Sequence, residues 1–209
     1  MADWKDTLQK LLEECALRDA SVELARFESA YSEPHRRYHT LKHIDHMLQQ
    51  LEIATTAGVF NTPSKELLFA ALYHDVVYDT NRSDNEEQSA QQTAEILRRC
   101  TANIPDIARI QEMIRATKHS GDFEDADDET KLLLDADMSI LGSPKESYEE
   151  YVRNVRFEYK QVSDDLWKYH RVRFLIGCLK STRIYLTSHF AKLEKQARQN
   201  IADEAVSLL

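Results

Sequence analysis

The chain has few of the residues that break helices. Four glycines and four prolines in 209 residues supply too few turn formers for an all-β sandwich or barrel, which needs turn signals about every 8–12 residues. Cysteine is also scarce. Cys15, Cys100 and Cys178 are odd in number, widely spaced and form no CxxC, which argues against a disulfide framework or a zinc ribbon and suits thiols in a reducing compartment. A basic excess is missing: 27 Lys and Arg stand against 36 Asp and Glu, for a formal net charge of −9. A general nucleic-acid binder needs cations to replace phosphate counterions, so that role is not expected. Part of the acid excess lies in Asp122–Glu129, read as a solvated loop and a helix start. No apolar run reaches the length of a membrane span. The N-terminal MADWKDTLQK has no apolar signal-peptide core. The expectation is a cytoplasmic protein with no membrane partner. Its oligomeric state is not legible.

What the sequence does have is helical periodicity throughout. Residues 3–18 carry Trp4, Leu8, Leu11, Leu12 and Cys15 at helical spacing, and a second helix is predicted over about 20–31. A polar, aromatic HRRYHT loop precedes a helix from Leu41 to Ala57. Asn61-Thr62-Pro63 is read as the next helix start, and that helix is predicted to run through LLFAALYHDVVY. Ser83-Asp84-Asn85-Glu86 and Ser143-Pro144-Lys145-Glu146 read as capping boxes. Pro105 opens a helix ending at Ser120-Gly121, KLLLDADMSIL forms a short helix stopped by Gly142, and Ser163 caps a helix through YHRVRFLIGCL. No segment reads as a strand. The fold class expected is all-α, in one domain over residues 1–209.

The chemistry centres on His74-Asp75. Both are ionisable, and they lie in a run that is otherwise apolar, where an unpaired carboxylate is costly. A metal ion would compensate both groups, since imidazole nitrogen and carboxylate oxygen are common ligands. Backbone and side-chain hydrogen bonds would compensate them too, and a dipeptide alone does not choose. Its surroundings add ligand types. His39 and His43 stand four apart in YHTLKH and would share one face of a helix. Asp137 closes the apolar LLLDAD.

The order His43, His74-Asp75, Asp137 resembles the HD-domain superfamily of metal-dependent phosphohydrolases over about residues 35–142. RRYHTLKH, LYHDVVYD, DNEEQSA, TKH and LDADMSILG are similar to a small bacterial group within it. The resemblance implies an HD-type helical bundle with extra N- and C-terminal helices. It also implies metal ligands at His43, His74, Asp75 and Asp137. YHTLKH is similar to a segment of cyclic-nucleotide phosphodiesterases, which implies that His43 is a ligand and His39 a general acid on the leaving oxygen. HDVVYDT is similar to HDVVEDT of the guanosine-tetraphosphate synthetase/hydrolases. There an acidic pair positions the attacking water; here Tyr78 replaces the first acid and Asp79 keeps the second, implying a catalytic role for Asp79.

Other residues admit two readings each. His119 follows an amphipathic helix and either caps it against the dipole or contacts substrate or a second metal. Lys118 either binds phosphate or is solvated. Arg37 either clamps a phosphate bidentately or lies on the surface. Asp84 and Glu86 suit the capping box. Tyr148, Tyr151 and Tyr159 read as packing aromatics, and His46 as core or support to the site. The function expected is hydrolysis of a small phosphate ester, with nucleotides among the candidate substrates, using one divalent ion and with room for a second. The ligand set does not choose among Mn, Fe, Co, Ni, Mg and Zn. The alternatives are a non-catalytic, metal-stabilised module that binds a nucleotide or a protein, and a di-iron oxygenase.

Overall fold

A computed structural model describes residues 3–58 and 62–208, and among these residues it contains ten α-helices and no strand. The chain is all-α, as its composition implies. In order the helices are α1 (Trp4–Glu14), α2 (Ala20–Ala30), α3 (Leu41–Thr56), α4 (Lys65–Tyr73) and α5 (Asn85–Leu97). They continue with α6 (Ile107–Ala116), α7 (Asp128–Met138), α8 (Lys145–Glu158), α9 (Asp164–Lys180) and α10 (Glu194–Ser207). Single 3₁₀ turns at Ser139–Gly142 and Phe190–Leu193 extend α7 and lead into α10.

The apolar α4 is the hub, packing on α1, α3, α5, α6 and α7. Six of its nine residues are buried, which follows from a sequence with almost no polar face. An aromatic cluster links it to the N-terminus. Phe27 lies 5.4 Å from Trp4, 4.8 Å from Tyr31 and 5.1 Å from Tyr73, centroid to centroid. One core of buried side chains extends from Trp4 to Ile201, so the C-terminal helices share it with the rest.

Several helix limits differ from those predicted. α1 ends at Glu14, four residues early, because Ala16 turns left-handed at φ 51°. α4 is capped by Ser64, whose hydroxyl accepts from the Leu67 amide at 3.1 Å and donates to Glu129 at 2.7 Å. Thr62 and Pro63 precede that cap, and Asn61 lies outside the described residues. α4 stops at Tyr73 rather than running through Tyr78. The reason is tertiary. The buried Arg36 guanidinium donates to the Asp75 carbonyl at 2.8 Å and to the Val76 carbonyl at 3.2 Å, and His35 takes the Tyr78 carbonyl at 2.8 Å. His74-Asp75 therefore sits at a helix end, not inside a helix. Neither predicted capping box forms. Asp84 is the N-cap of α5 but spends its carboxylate on Arg82 and Gln88, and α8 starts from Pro144 without a side-chain cap.

The turn at Ser139–Gly142 receives both α8 and α10. A Cβ on Gly142 would lie 2.6 Å from Leu193 Cβ, 2.9 Å from the Tyr185 hydroxyl and 3.0 Å from the Leu193 carbonyl oxygen. One of these neighbours is backbone, so the site has little room to adjust. Gly142→Ala is expected to destabilise the protein by about 2–3 kcal/mol. The measurement is the urea midpoint at unchanged m-value. A loss below about 0.5 kcal/mol would mean that the Leu193 turn moves aside freely.

Candidate metal centre

Three helix ends and one helix start bring the ionisable groups together. His43 lies in the first turn of α3, His74 caps α4 with Asp75 next to it, and Asp137 is the penultimate residue of α7. His119 follows α6 in a left-handed conformation at φ 50°. His43 is buried next to His74 and Asp137, and His74, Asp75, His119 and Asp137, with His39, line a cleft of about 400 Å³. Tyr78, Tyr151, Tyr159 and Phe174 stand around it.

The donor atoms converge. His43 Nε2 and His74 Nε2 lie 3.3 Å apart. Asp75 Oδ2 is 3.0 Å from His74 Nε2, and Asp137 Oδ1 is 3.2 Å from His43 Nε2 and 3.8 Å from His74 Nε2. Adjacent ligand atoms on an ion with bonds of about 2.1 Å would be about 3 Å apart, so these spacings fit a divalent cation. His43, His74 and Asp75 form the compact trio, with ligand atoms all within 4.8 Å of one another. Asp137 is not within that trio but touches both of its imidazoles. His74 is preset for coordination: its Nδ1–H donates to the Ala71 carbonyl at 3.0 Å, leaving Nε2 to face the cleft. His43 Nδ1 is buried without a hydrogen-bond partner.

Within the cluster each group's protonation is set by its neighbours. Burial pulls the His74 pKa down, but Asp75 and Asp137 override it and push it up to about 9. Burial pushes Asp75 up, and His74 beside it overrides this, holding the carboxyl well below the usual range. Asp137 is likewise held low against burial, by hydrogen bonds from His119 and His43. His43 itself is lowered, chiefly by burial. Two ionised carboxylates thus face two buried imidazoles, which is a donor set ready to exchange protons for a cation.

His39 stands on the rim of this group, with Nε2 3.9 Å from Asp75 Oδ2. Two residues that the sequence reading did not single out hold it there. Glu158, the last residue of α8, accepts His39 Nδ1–H at 2.7 Å on Oε2. Its Oε1 accepts the backbone amides of Arg37, Tyr38 and His39 at 2.7, 2.7 and 3.0 Å. The Tyr78 hydroxyl donates to Oε2 at 2.9 Å. Burial raises the Glu158 pKa, but His39 and the amides hold it at about 2. Burial lowers His39, and Glu158 with Asp75 more than offsets it, so its pKa is raised. Arg36 is the second such residue: it also donates to the His39 carbonyl at 3.2 Å and so ties the His39 loop to the His74-Asp75 turn. Nothing in HRRYH distinguished the inward Arg36 from Arg37, and no sequence signal marked Glu158.

The remaining candidates separate clearly. His119 Nε2–H donates to Asp137 Oδ2 at 2.9 Å, so it supports a carboxylate of the cluster. Lys118 lies on the cleft rim, bonded to the Ser83 carbonyl at 2.6 Å. His46 Nε2 meets Ser139 Oγ at 2.9 Å beside Asp137, and burial pulls its pKa down to about 4. Arg37 is not brought to the cleft. It is exposed, with its guanidinium 4.6 Å from the Phe157 ring centroid. Asp79 is not brought there either: its carboxylate accepts Asn81 N and Nδ2, both at 2.9 Å, closing a local turn. Tyr78 fills the adjacent position with its ring 4.3 Å from that of His39. No helix among the described residues is long and apolar enough to cross a membrane.

Comparison with known proteins agrees with this geometry. Residues 43–143 match the HD domain family, a stretch that begins at the first histidine of the cluster and ends just past the turn following Asp137. No curated protein and no solved structure gives a match. Over residues 43–143 the chain carries an HD domain.

Proposed function

We propose that this protein is a metal-dependent phosphohydrolase of a small phosphate ester, with His43, His74, Asp75 and Asp137 as ligands to one divalent ion. The observation that carries the reading is the meeting of two imidazole Nε2 atoms 3.3 Å apart with a carboxylate beside each. A bound ion supplies a water of lowered pKa and polarises a phosphoryl oxygen. The rest falls to the chain. His39, kept protonated by Glu158, delivers its Nε2 proton to the leaving oxygen. His119 orients Asp137 through their 2.9 Å hydrogen bond. Lys118, 49% exposed on the rim, supplies positive charge toward a phosphate. The HD family supports a hydrolase but does not name a substrate, and nucleotides are the first class to try.

A second reading is a metal-stabilised binding module. Tyr78 stands where the synthetase/hydrolases carry an acid, and Asp79 is turned onto Asn81. One experiment separates the two. The purified protein is assayed for metal and then offered phosphate monoesters, diesters and nucleotides with Mn²⁺, Fe²⁺, Co²⁺, Ni²⁺, Mg²⁺ and Zn²⁺. About one tightly held ion per chain is expected, with turnover that a chelator removes and the ion restores. A protein that binds an ion and a nucleotide but turns nothing over would favour the module. A protein that holds no ion would overturn both.

A further inference from the structure

A second cavity, of about 560 Å³, opens beside the metal cleft. The two meet at Lys118, His119, Met138 and Phe174, which line both. The walls of the second cavity differ from the first in character. They include the rings of Phe123 and Phe174 with Leu134 and Ile184, and no histidine beyond the shared His119. Its buried carboxylate, Asp135, is already satisfied by the Leu186 and Thr187 amides, both at 2.7 Å, and by the Thr187 hydroxyl at 2.6 Å. Arg183 is engaged by Glu124. Arg173 bonds only the Tyr169 hydroxyl, at 3.1 Å, and has no carboxylate partner among the described residues.

Two further features suit a ligand there. Phe174 remains 36% exposed at the junction of the cavities although the Arg171 guanidinium supports its ring from 5.1 Å. Exposed aromatic surface at a cavity mouth is stabilised when something covers it. Gly177 also lines the cavity, and a Cβ built on it meets nothing within 4 Å. Gly177 is itself exposed, so a side chain on this face of α9 has room at the cavity wall.

We propose that the second cavity is the subsite for the non-reacting part of the ester: a flat aromatic body, nucleobase or aryl, with Arg173 at its rim. The phosphoryl group would then lie in the metal cleft, and binding energy from the remote part would orient it. The inference rests on the phosphohydrolase reading, but its binding test does not depend on turnover.

The test compares the wild type with Gly177→Leu, which puts a bulky side chain at the cavity wall, and Gly177→Ala, which adds only a methyl group. Both replace a helix-interior glycine by a better helix former, so folding is retained. Binding is measured by calorimetry for adenosine, 1-naphthol, their phosphates and methyl phosphate. Gly177→Leu is expected to weaken at least one aromatic pair by about tenfold or more. Methyl phosphate binding should be unchanged, and Gly177→Ala should behave as wild type. Which body binds tells nucleoside from aryl. Equal binding by wild type and Gly177→Leu overturns the subsite, as does wild type that binds no aromatic body more tightly than methyl phosphate. Gly177-dependent binding of a body with no ester turned over under any metal would leave the subsite standing and remove the phosphohydrolase reading.

Discussion

Asp75→Ala is expected to lose its metal and at least about 10³-fold of its activity, since a catalytic ion supplies several kcal/mol of transition-state stabilisation. The carboxylate is only 15% exposed and lies 3.0 Å from His74 Nε2. Removing it takes one ligand from the compact trio and leaves a buried imidazole without the partner that kept its pKa near 9. His74→Ala is expected to behave alike, because its Nε2 is the atom shared by the contacts to His43, Asp75 and Asp137. Elemental analysis gives the direct readout. A second one needs no substrate. An ion that binds only the folded state stabilises it by about 2.7 kcal/mol at a hundred times its Kd. The wild-type melting temperature should therefore climb with added metal, while those of the variants stay flat. Full metal content in either variant would refute the ligand assignment.

The next largest effect is expected at Glu158, which touches no reacting atom in the proposed mechanism and acts through His39. Glu158→Gln is nearly isosteric and can still accept the three backbone amides. Its amide N–H, however, faces His39 Nδ1, which must then accept rather than donate. The imidazolium loses its partner and the His39 pKa falls. If His39 is the general acid, activity drops by about 10²-fold, and the alkaline limb of the pH–rate profile moves to lower pH. A purely structural role would lower activity without moving that limb. Glu158→Ala leaves three part-buried amides and the His39 imidazole without their shared carboxylate and is expected to cost stability by about 3–5 kcal/mol.

The same pair sets a pH window for stability. The raised pKa of His39 contributes fully below its ordinary value of about 6.5 and is lost as pH rises through the folded value. Glu158, held at about 2, contributes fully above its ordinary value near 4.3 and is lost as pH falls toward 2. The pair therefore supports the fold most between about pH 4.3 and 6.5, and Glu158→Gln should flatten that dependence.

The parts of this site that were legible in the sequence are those carried by local strings. Helices show in their periodicity, and YHTLKH, HD and DAD each carry their chemistry within a few residues. The order of the three strings was enough to gather His43, His74, Asp75 and Asp137 into one reading, and the fold brings these four side chains together. What was not legible depends on distant partners. LLFAALYHDVVY contains no breaker, and the end of α4 at Tyr73 comes from Arg36, whose guanidinium takes carbonyls 39 and 40 residues away. Asp79 matched a family string, yet its side chain turned to Asn81 two positions on. Arg37 and Arg36 are equivalent on paper, and only packing turns one inward.

The Glu158 contacts have a consequence for how this protein could be cut or grafted. The family segment closes at residue 143, but the carboxylate that orders residues 37–39 comes from 119 to 121 positions further along the chain. A fragment trimmed to the family limits would keep His43, His74, Asp75 and Asp137 and lose both His39 and its support. During synthesis the order is the same. His43, His74, Asp75 and Asp137 are all synthesised before Glu158, so the His39 side of the cleft is assembled last, by the closure of a long loop. The proposed ion site and the proposed proton donor are therefore separable inheritances: the first would travel with the HD segment, and the second would exist only when the flanking helices come with it.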